Sequence, residues 1–201
     1  ELAGGRPIVV AGSVHSVEEA RQVVTAFEAL GGGGRALLVL APRLIPTIEM
    51  IAGTLKERRL AALRRSALPA GGARADVLLL DSLGELPSLY EIADAVFIGG
   101  TLGAHGGHNP AEAARFAVPV AAGPNMEQFL PIAETFDKAD AWRRVGSAGE
   151  LAAVWDGWLR DPAAAHEQGR RGQDLVERSR GAWSRTLEAL APLLGEVRRG
   201  A

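Results

Sequence analysis

The sequence predicts an α/β fold, a parallel sheet with helices on both faces, and three observations carry that prediction. Short apolar, β-branched runs recur through the first three-quarters of the chain, segments with helical spacing of apolar residues stand between them, and most runs end in glycine, proline or small polar residues. In such a sheet, ligands bind beyond the carboxyl ends of the strands.

The elements follow in order. Residues 7–11 (Pro-Ile-Val-Val-Ala) read as a first strand ending at Gly12-Ser13, and residues 17–30 as a helix with Ala20, Val23, Val24, Phe27 and Leu30 on one face. The glycines at 31–34 stop that helix. Residues 36–40 form the second strand, which ends at Ala41-Pro42-Arg43, and residues 45–68, rich in Leu and Arg, read as helix with breaks. A third strand at 77–80, a short helix at 88–93 and a fourth strand at 96–98 come next. Beyond them the spacing predicts a helix from Asn109-Pro110 to Phe116, a strand at 118–121, a helix at 126–136 and a last short strand within 142–145. The remainder reads as three helices, 148–159, 162–180 and 182–198. The expected organisation is one domain, with a core over about residues 7–146 and a helical carboxyl-terminal part over about 147–201.

Composition narrows the function. In 201 residues, 47% hydrophobic content is ample for a core, and 22 basic against 24 acidic residues give a net charge of −2, which argues against nucleic acid or an anionic membrane surface as partner. The lack of cysteine removes disulfides, thiolate metal sites and cysteine nucleophiles. No apolar run approaches the roughly 20 residues that span a bilayer, and no signal peptide is visible, so the chain is expected to be soluble. A first residue of Glu1 rather than Met suggests a fragment of a longer protein, in which case an active site shared with the missing part would be incomplete here.

The most chemically loaded stretch is Val96-Phe97-Ile98-Gly99-Gly100-Thr101-Leu102-Gly103-Ala104-His105-Gly106-Gly107-His108-Asn109-Pro110-Ala111-Glu112. It reads as strand, glycine-rich loop and helix, with Asn109 as N-cap and Pro110 in the first turn. A helix starting at such a loop favours an anion such as phosphate, while Glu112 in its first turn suits a ribose diol, whose two hydroxyls one carboxylate can accept. A βα turn in any parallel sheet also needs glycine and a cap. The polar side chains here exceed that need and favour a nucleotide site. The loops Gly12-Ser13-Val14-His15, Pro42-Arg43, Ser82-Leu83-Gly84-Glu85 and Gly123-Pro124-Asn125-Met126-Glu127 would lie on the same sheet edge. Arg43 could aim its guanidinium at phosphate or carboxylate oxygens, or remain a solvated arginine. Ser13 and His15 could touch the ligand or only shape a turn, and Glu85 could prop its loop or border a base or sugar. Capping alone would occupy Asn109. His105 and His108, without a carboxylate-rich set, do not make a metal motif. Trp142, Trp155, Trp158 and Trp183 read as packing residues or as an interface with a missing domain.

Six ordered blocks carry a family resemblance: Ala11-Gly12-Ser13-x-His15, Leu40-Ala41-Pro42-Arg43, the run from Leu79 to Tyr90, Gly99-Gly100-Thr101-Leu102, Gly106-Gly107-His108-Asn109-Pro110-x-Glu112 and Gly123-Pro124-x-Met126-Glu127-x-Phe129. In order and spacing, from about residue 7 to the end, the chain resembles the carboxyl-terminal half of the bacterial 3-deoxy-D-manno-octulosonic acid (Kdo) transferases. The resemblance implies one Rossmann-like half of a GT-B glycosyltransferase that moves Kdo from CMP-Kdo to lipid A precursors in lipopolysaccharide assembly. It implies CMP-Kdo as substrate with no further cofactor, and no metal site is expected in this chain. The catalytic base, the acceptor site and the membrane contact would belong to the missing amino-terminal half, at the cytoplasmic side of the inner membrane, and this chain alone would be inactive. Carried over by position, the donor-binding residues are Ser13, His15, Arg43, Gly84, Glu85, Gly99, Gly100, Thr101, Gly106, Gly107, Asn109 and Glu112. Arg43 would approach the phosphate or Kdo carboxylate, Gly99-Gly100-Thr101 with Gly106-Gly107 would form the nucleotide floor, and Asn109 and Glu112 would hold the phosphate and ribose side. The Leu83-Gly84-Glu85 backbone would border the cytosine.

The chain departs from the family pattern at Val14, Ser16 and Val17 after the first strand, at Leu44, at Gly103-Ala104-His105 and at Asn125. The alternatives are a UDP-sugar-dependent GT-B glycosyltransferase or epimerase domain, and a non-catalytic nucleotide-binding or scaffold domain.

Overall fold

The computed structural model describes residues 2–69 and 73–179. Seven parallel strands form one sheet in the order β3-β4-β2-β1-β5-β6-β7. They are β1 (Ile8–Val14), β2 (Leu37–Pro42), β3 (Ala62–Arg64), β4 (Val77–Leu79), β5 (Ala95–Ile98), β6 (Val120–Ala122) and β7 (Arg143–Arg144). The helices are α1 (Val17–Leu30), α2 (Ile48–Glu57), α3 (Leu86–Glu91), α4 (Ala111–Ala114), α5 (Leu130–Lys138), α6 (Ala148–Arg160) and α7 (Pro162–Ser179). The predicted helix at 182–198 and Trp183 lie outside the described residues.

Strands in a sheet covered on both faces read as near-continuous apolar runs, and β1, β2 and β5 are buried along almost their whole length. Alternation divides their side chains between two cores. Val9, Ala11, Leu38, Leu40 and Phe97 meet α1, α2 and α6 on one face, whereas Val10, Val39, Val96 and Ile98 meet Tyr90, Ala113, Phe136 and Trp142 on the other. Trp142, Trp155 and Trp158 are packing residues, each 8% exposed or less.

Four elements differ from the sequence expectation. The segment 45–68 contains α2 but also β3, a three-residue edge strand paired with β4, whose Leu-Arg composition hides a pairing made only by a distant partner. β1 continues through Gly12-Ser13 to Val14, with a register break and Ser13 in the left-handed region (φ 57°). The helix after Asn109-Pro110 is one turn long and stops at Ala114 rather than Phe116. Residues 127–129 are 3₁₀ before α5 begins at Leu130.

The chain order reverses between β1 and β5, the central pair from which the sheet grows outward in both directions. That reversal opens a crevice at the carboxyl edge, between the β1–α1 loop and the β5–α4 loop.

Candidate functional site

The crevice is organised by a residue that the sequence reading passed over. Glu19 is 2% exposed, and its carboxylate accepts backbone N–H groups from Gly100 (2.7 Å), Thr101 (3.0 Å), Leu102 (3.1 Å) and His15 (2.9 Å). The signal was present as Ser16-x-x-Glu19, a capping-box pattern. Ser16 caps α1 by accepting the Glu19 N–H at 3.1 Å, but the Glu19 side chain reaches past its own helix end to the glycine loop. Consecutive amides that would suit an anionic ligand are therefore filled by a carboxylate of the protein itself.

The expected nucleotide floor changes accordingly. The N–H groups of Gly100 and Thr101 point at Glu19, and the Thr101 hydroxyl, fully buried, donates to the Ile98 carbonyl (2.6 Å) and accepts the Gly123 N–H (2.7 Å). The N–H of Gly99 donates to the Gly12 carbonyl at 2.8 Å. These three residues tie β5 to β1 and to the loop after β6. Gly106 and Gly107 are buried against that same loop. At Gly107 (φ 80°) a Cβ would come within 2.6 Å of the Met126 sulfur, so both the backbone angle and the space require glycine. The N–H groups of Gly106 and His108 have no hydrogen-bond partner among the described residues.

Around this frame the side chains of the β1–α1, β2 and β5–α4 loops gather. His15 stacks on His105, with ring centroids 4.0 Å apart, and lies 5.9 Å from His108. Burial, the His105 ring and the Arg43 guanidinium hold His15 below its ordinary pKa, opposed by Glu19. Burial, then Arg43 and His15, do the same to His108. Arg43 is thus near both rings. It is exposed, and its side chain makes no hydrogen bond among the described residues. The Ser13 hydroxyl is likewise without a recorded partner, on the bulged end of β1.

Asn109, expected as N-cap, lies one residue ahead of that position: Pro110 is the N-cap, and the Asn109 side chain accepts the Ala111 N–H at 3.0 Å. Glu112 is exposed and makes no hydrogen bond among the described residues, but its charge, after burial, helps to push the Tyr90 phenol upward. Tyr90 explains Gly12, where a Cβ would lie 1.9 Å from the Tyr90 hydroxyl oxygen. Because α4 is a single turn, its dipole would attract an anion only weakly. On the β4 side, Glu85 is committed to Arg65 (2.7 Å) and to the Ser82 hydroxyl, which hold its carboxyl below its usual range; Gly84 (φ 82°) turns the loop and leaves its backbone exposed. Glu85 therefore props the loop. Cavities of about 340, 420, 330 and 470 Å³ lie elsewhere on the molecule.

No family model matches the chain. A 3-deoxy-D-manno-octulosonic acid transferase of Haemophilus influenzae is 32% identical over 190 residues, 94% of this chain and 44% of the relative; that of Bordetella pertussis is 33% identical over 198 residues, 96% and 46%. The chain thus spans a little under half the length of these curated relatives. Among solved structures, the carboxyl-terminal CMP-Kdo binding domain of WaaA from Acinetobacter baumannii superposes with a TM-score of 0.79 at 25% identity, over 86% of this chain and 90% of that one. HepE of Anabaena in complex with UDP-glucose (TM-score 0.62, 14% identity, 87% and 44% of the two chains) shares the fold alone. The sheet order and these similarities give the chain the α/β fold of one GT-B half, and its sequence is similar along nearly its whole length to part of the 3-deoxy-D-manno-octulosonic acid transferases.

Proposed function

We propose that this chain holds the CMP-Kdo donor of a glycosyltransferase that transfers Kdo to a lipid A precursor, acting with an amino-terminal half at the cytoplasmic face of the inner membrane. The observation that carries the reading is the match along 90% of a domain described as binding CMP-Kdo, with an uncommitted guanidinium and an uncommitted carboxylate, Arg43 and Glu112, on the same strand edge.

In the reaction, an acceptor hydroxyl oxygen bonds to the anomeric carbon of Kdo as the bond from that carbon to the phosphate oxygen breaks. CMP leaves with the electron pair, and the acceptor proton passes to a base on the other half. The task of this half is to favour the charge that grows on the leaving phosphate, through Arg43 and the unpartnered N–H groups at Gly106 and His108. Glu112 would accept the ribose hydroxyls, and the exposed backbone at Leu83-Gly84 would border the cytosine.

Titrating the chain with CMP and with UDP while following amide chemical shifts tests this. CMP should perturb Arg43, Gly84, His108 and Glu112 at lower concentration than UDP does. A preference for UDP would replace the Kdo reading with a UDP-sugar enzyme, and no response to either would leave a scaffold domain.

A further inference from the structure

We propose that His15, His105 and His108, with Arg43, form a proton-linked position for an anionic oxygen group of the donor, so that binding draws a proton into the imidazole stack. The inference rests on the donor-binding reading above.

The three rings come from two loops brought together only by the pairing of β1 with β5. His15 lies over His105 at 4.0 Å with 27° between planes, and at 5.9 Å and 20° from His108. In each ring one nitrogen is shut away from solvent with no hydrogen-bond partner: Nδ1 of His15, Nδ1 of His105 and Nε2 of His108. A neutral imidazole carries one donor and one acceptor, so every ring leaves half of its capacity unused. The rings stack through their faces and their nitrogens do not converge. Among the described residues, no set of three metal-ligating side chains could hold an ion.

The charges facing the stack are few. Arg43, after β2, opposes protonation of His15 and His108, and so do the neighbouring rings. Glu19 on α1 favours protonation, but its carboxylate is already shared among four N–H donors. From the loop after β6, Asn125 and Gln128 are neutral and donate to the carbonyls of Gly103 and His105. His15 and His108 are therefore biased towards the neutral form. A phosphate or carboxylate placed against Arg43 reverses the balance, because an opposite charge within about 4–6 Å raises an imidazole by roughly 1–3 pKa units. The site then gains a cation only when the anion is there to meet it.

The test follows the histidine ring resonances across pH in the free chain and with CMP, cytidine or free Kdo. An upward shift of about one unit or more at His15 or His108 is expected with an anionic ligand and not with cytidine. A shift produced by CMP identifies the phosphate as the anion, and one produced by Kdo alone identifies the sugar carboxylate. Calorimetry in buffers of different ionisation heat should show proton uptake on binding that falls in His105→Gln. If CMP perturbs the amides near Gly84 and Glu112 while the imidazoles titrate unchanged with both CMP and Kdo, the stack is packing alone and the donor reading survives. If CMP perturbs nothing, the donor reading falls and this inference with it.

Discussion

The carboxylate of Glu19 and the backbone N–H of Thr101 meet at 3.0 Å across 82 positions of sequence, and three further N–H groups share that carboxylate. Glu19→Gln keeps the size but turns an NH₂ group towards donors. Hydrogen bonds to a charged acceptor contribute about 1.5–3 kcal/mol each and are not additive, so a loss of roughly 2–4 kcal/mol in urea unfolding is expected. A loss under about 1 kcal/mol would mean that the glycine loop is held by something else.

Tyr90 and Gly12 form a second dependency. Gly12→Ala should destabilise by about 2 kcal/mol or more, because its Cβ would overlap the Tyr90 hydroxyl at 1.9 Å and the ring carbon Cζ at 2.7 Å. In a Tyr90→Phe background part of that cost should vanish, since the nearest atom is gone. Additive effects in the double-mutant cycle would contradict the contact.

Asn109 and Glu112, three residues apart, should separate stability from binding. Asn109→Ala removes the hydrogen bond to the first helical N–H and is expected to cost about 1 kcal/mol of stability. Glu112→Ala removes no recorded hydrogen bond, so stability should stay within about 0.5 kcal/mol while CMP affinity drops about tenfold, the scale of one charge-assisted hydrogen bond. The reverse pattern, measured by thermal melts and CMP titration, would exchange the two roles.

Arg43→Ala should weaken CMP binding about tenfold or more and flatten its salt dependence, leaving cytidine binding nearly unchanged. Equal losses for the two ligands would show that Arg43 acts elsewhere than at the phosphate.

His15 and His108 also predict how stability varies with pH. Both are held below their ordinary values, so in the window beneath about pH 6.5 the unfolded chain binds more protons than the folded one. Their contribution is complete above that value and is lost as pH falls through the folded-state pKa values. Asp137, held below its usual range chiefly by Arg144, loses its contribution only at more acid pH and leaves this window clear. Calorimetric melting should therefore show a lower Tm near pH 5.5 than near pH 7.5, with a smaller difference in His15→Gln/His108→Gln.

The sequence by itself determined the alternation of strands and helices and the strand edge that carries the polar loops, because apolar periodicity and turn residues are local and survive in one dimension, and its ordered motifs carried the resemblance to the Kdo transferases. It also put Asn109 at the start of the helix, one residue ahead of the observed N-cap, since such contacts join near neighbours. Only the tertiary structure decided what those loops do to one another. β3 exists because β4 offers it backbone partners, and no local signal in Ala62-Leu63-Arg64 reveals that. By resemblance Gly99-Gly100-Thr101 reads as nucleotide floor, and only the fold shows that α1 brings Glu19 to the amides of Gly100 and Thr101 and that the Thr101 hydroxyl bridges Ile98 and Gly123. Hydrogen bonds and charges act through space, and His15 reaches His105 only because two parallel strands far apart in sequence lie side by side.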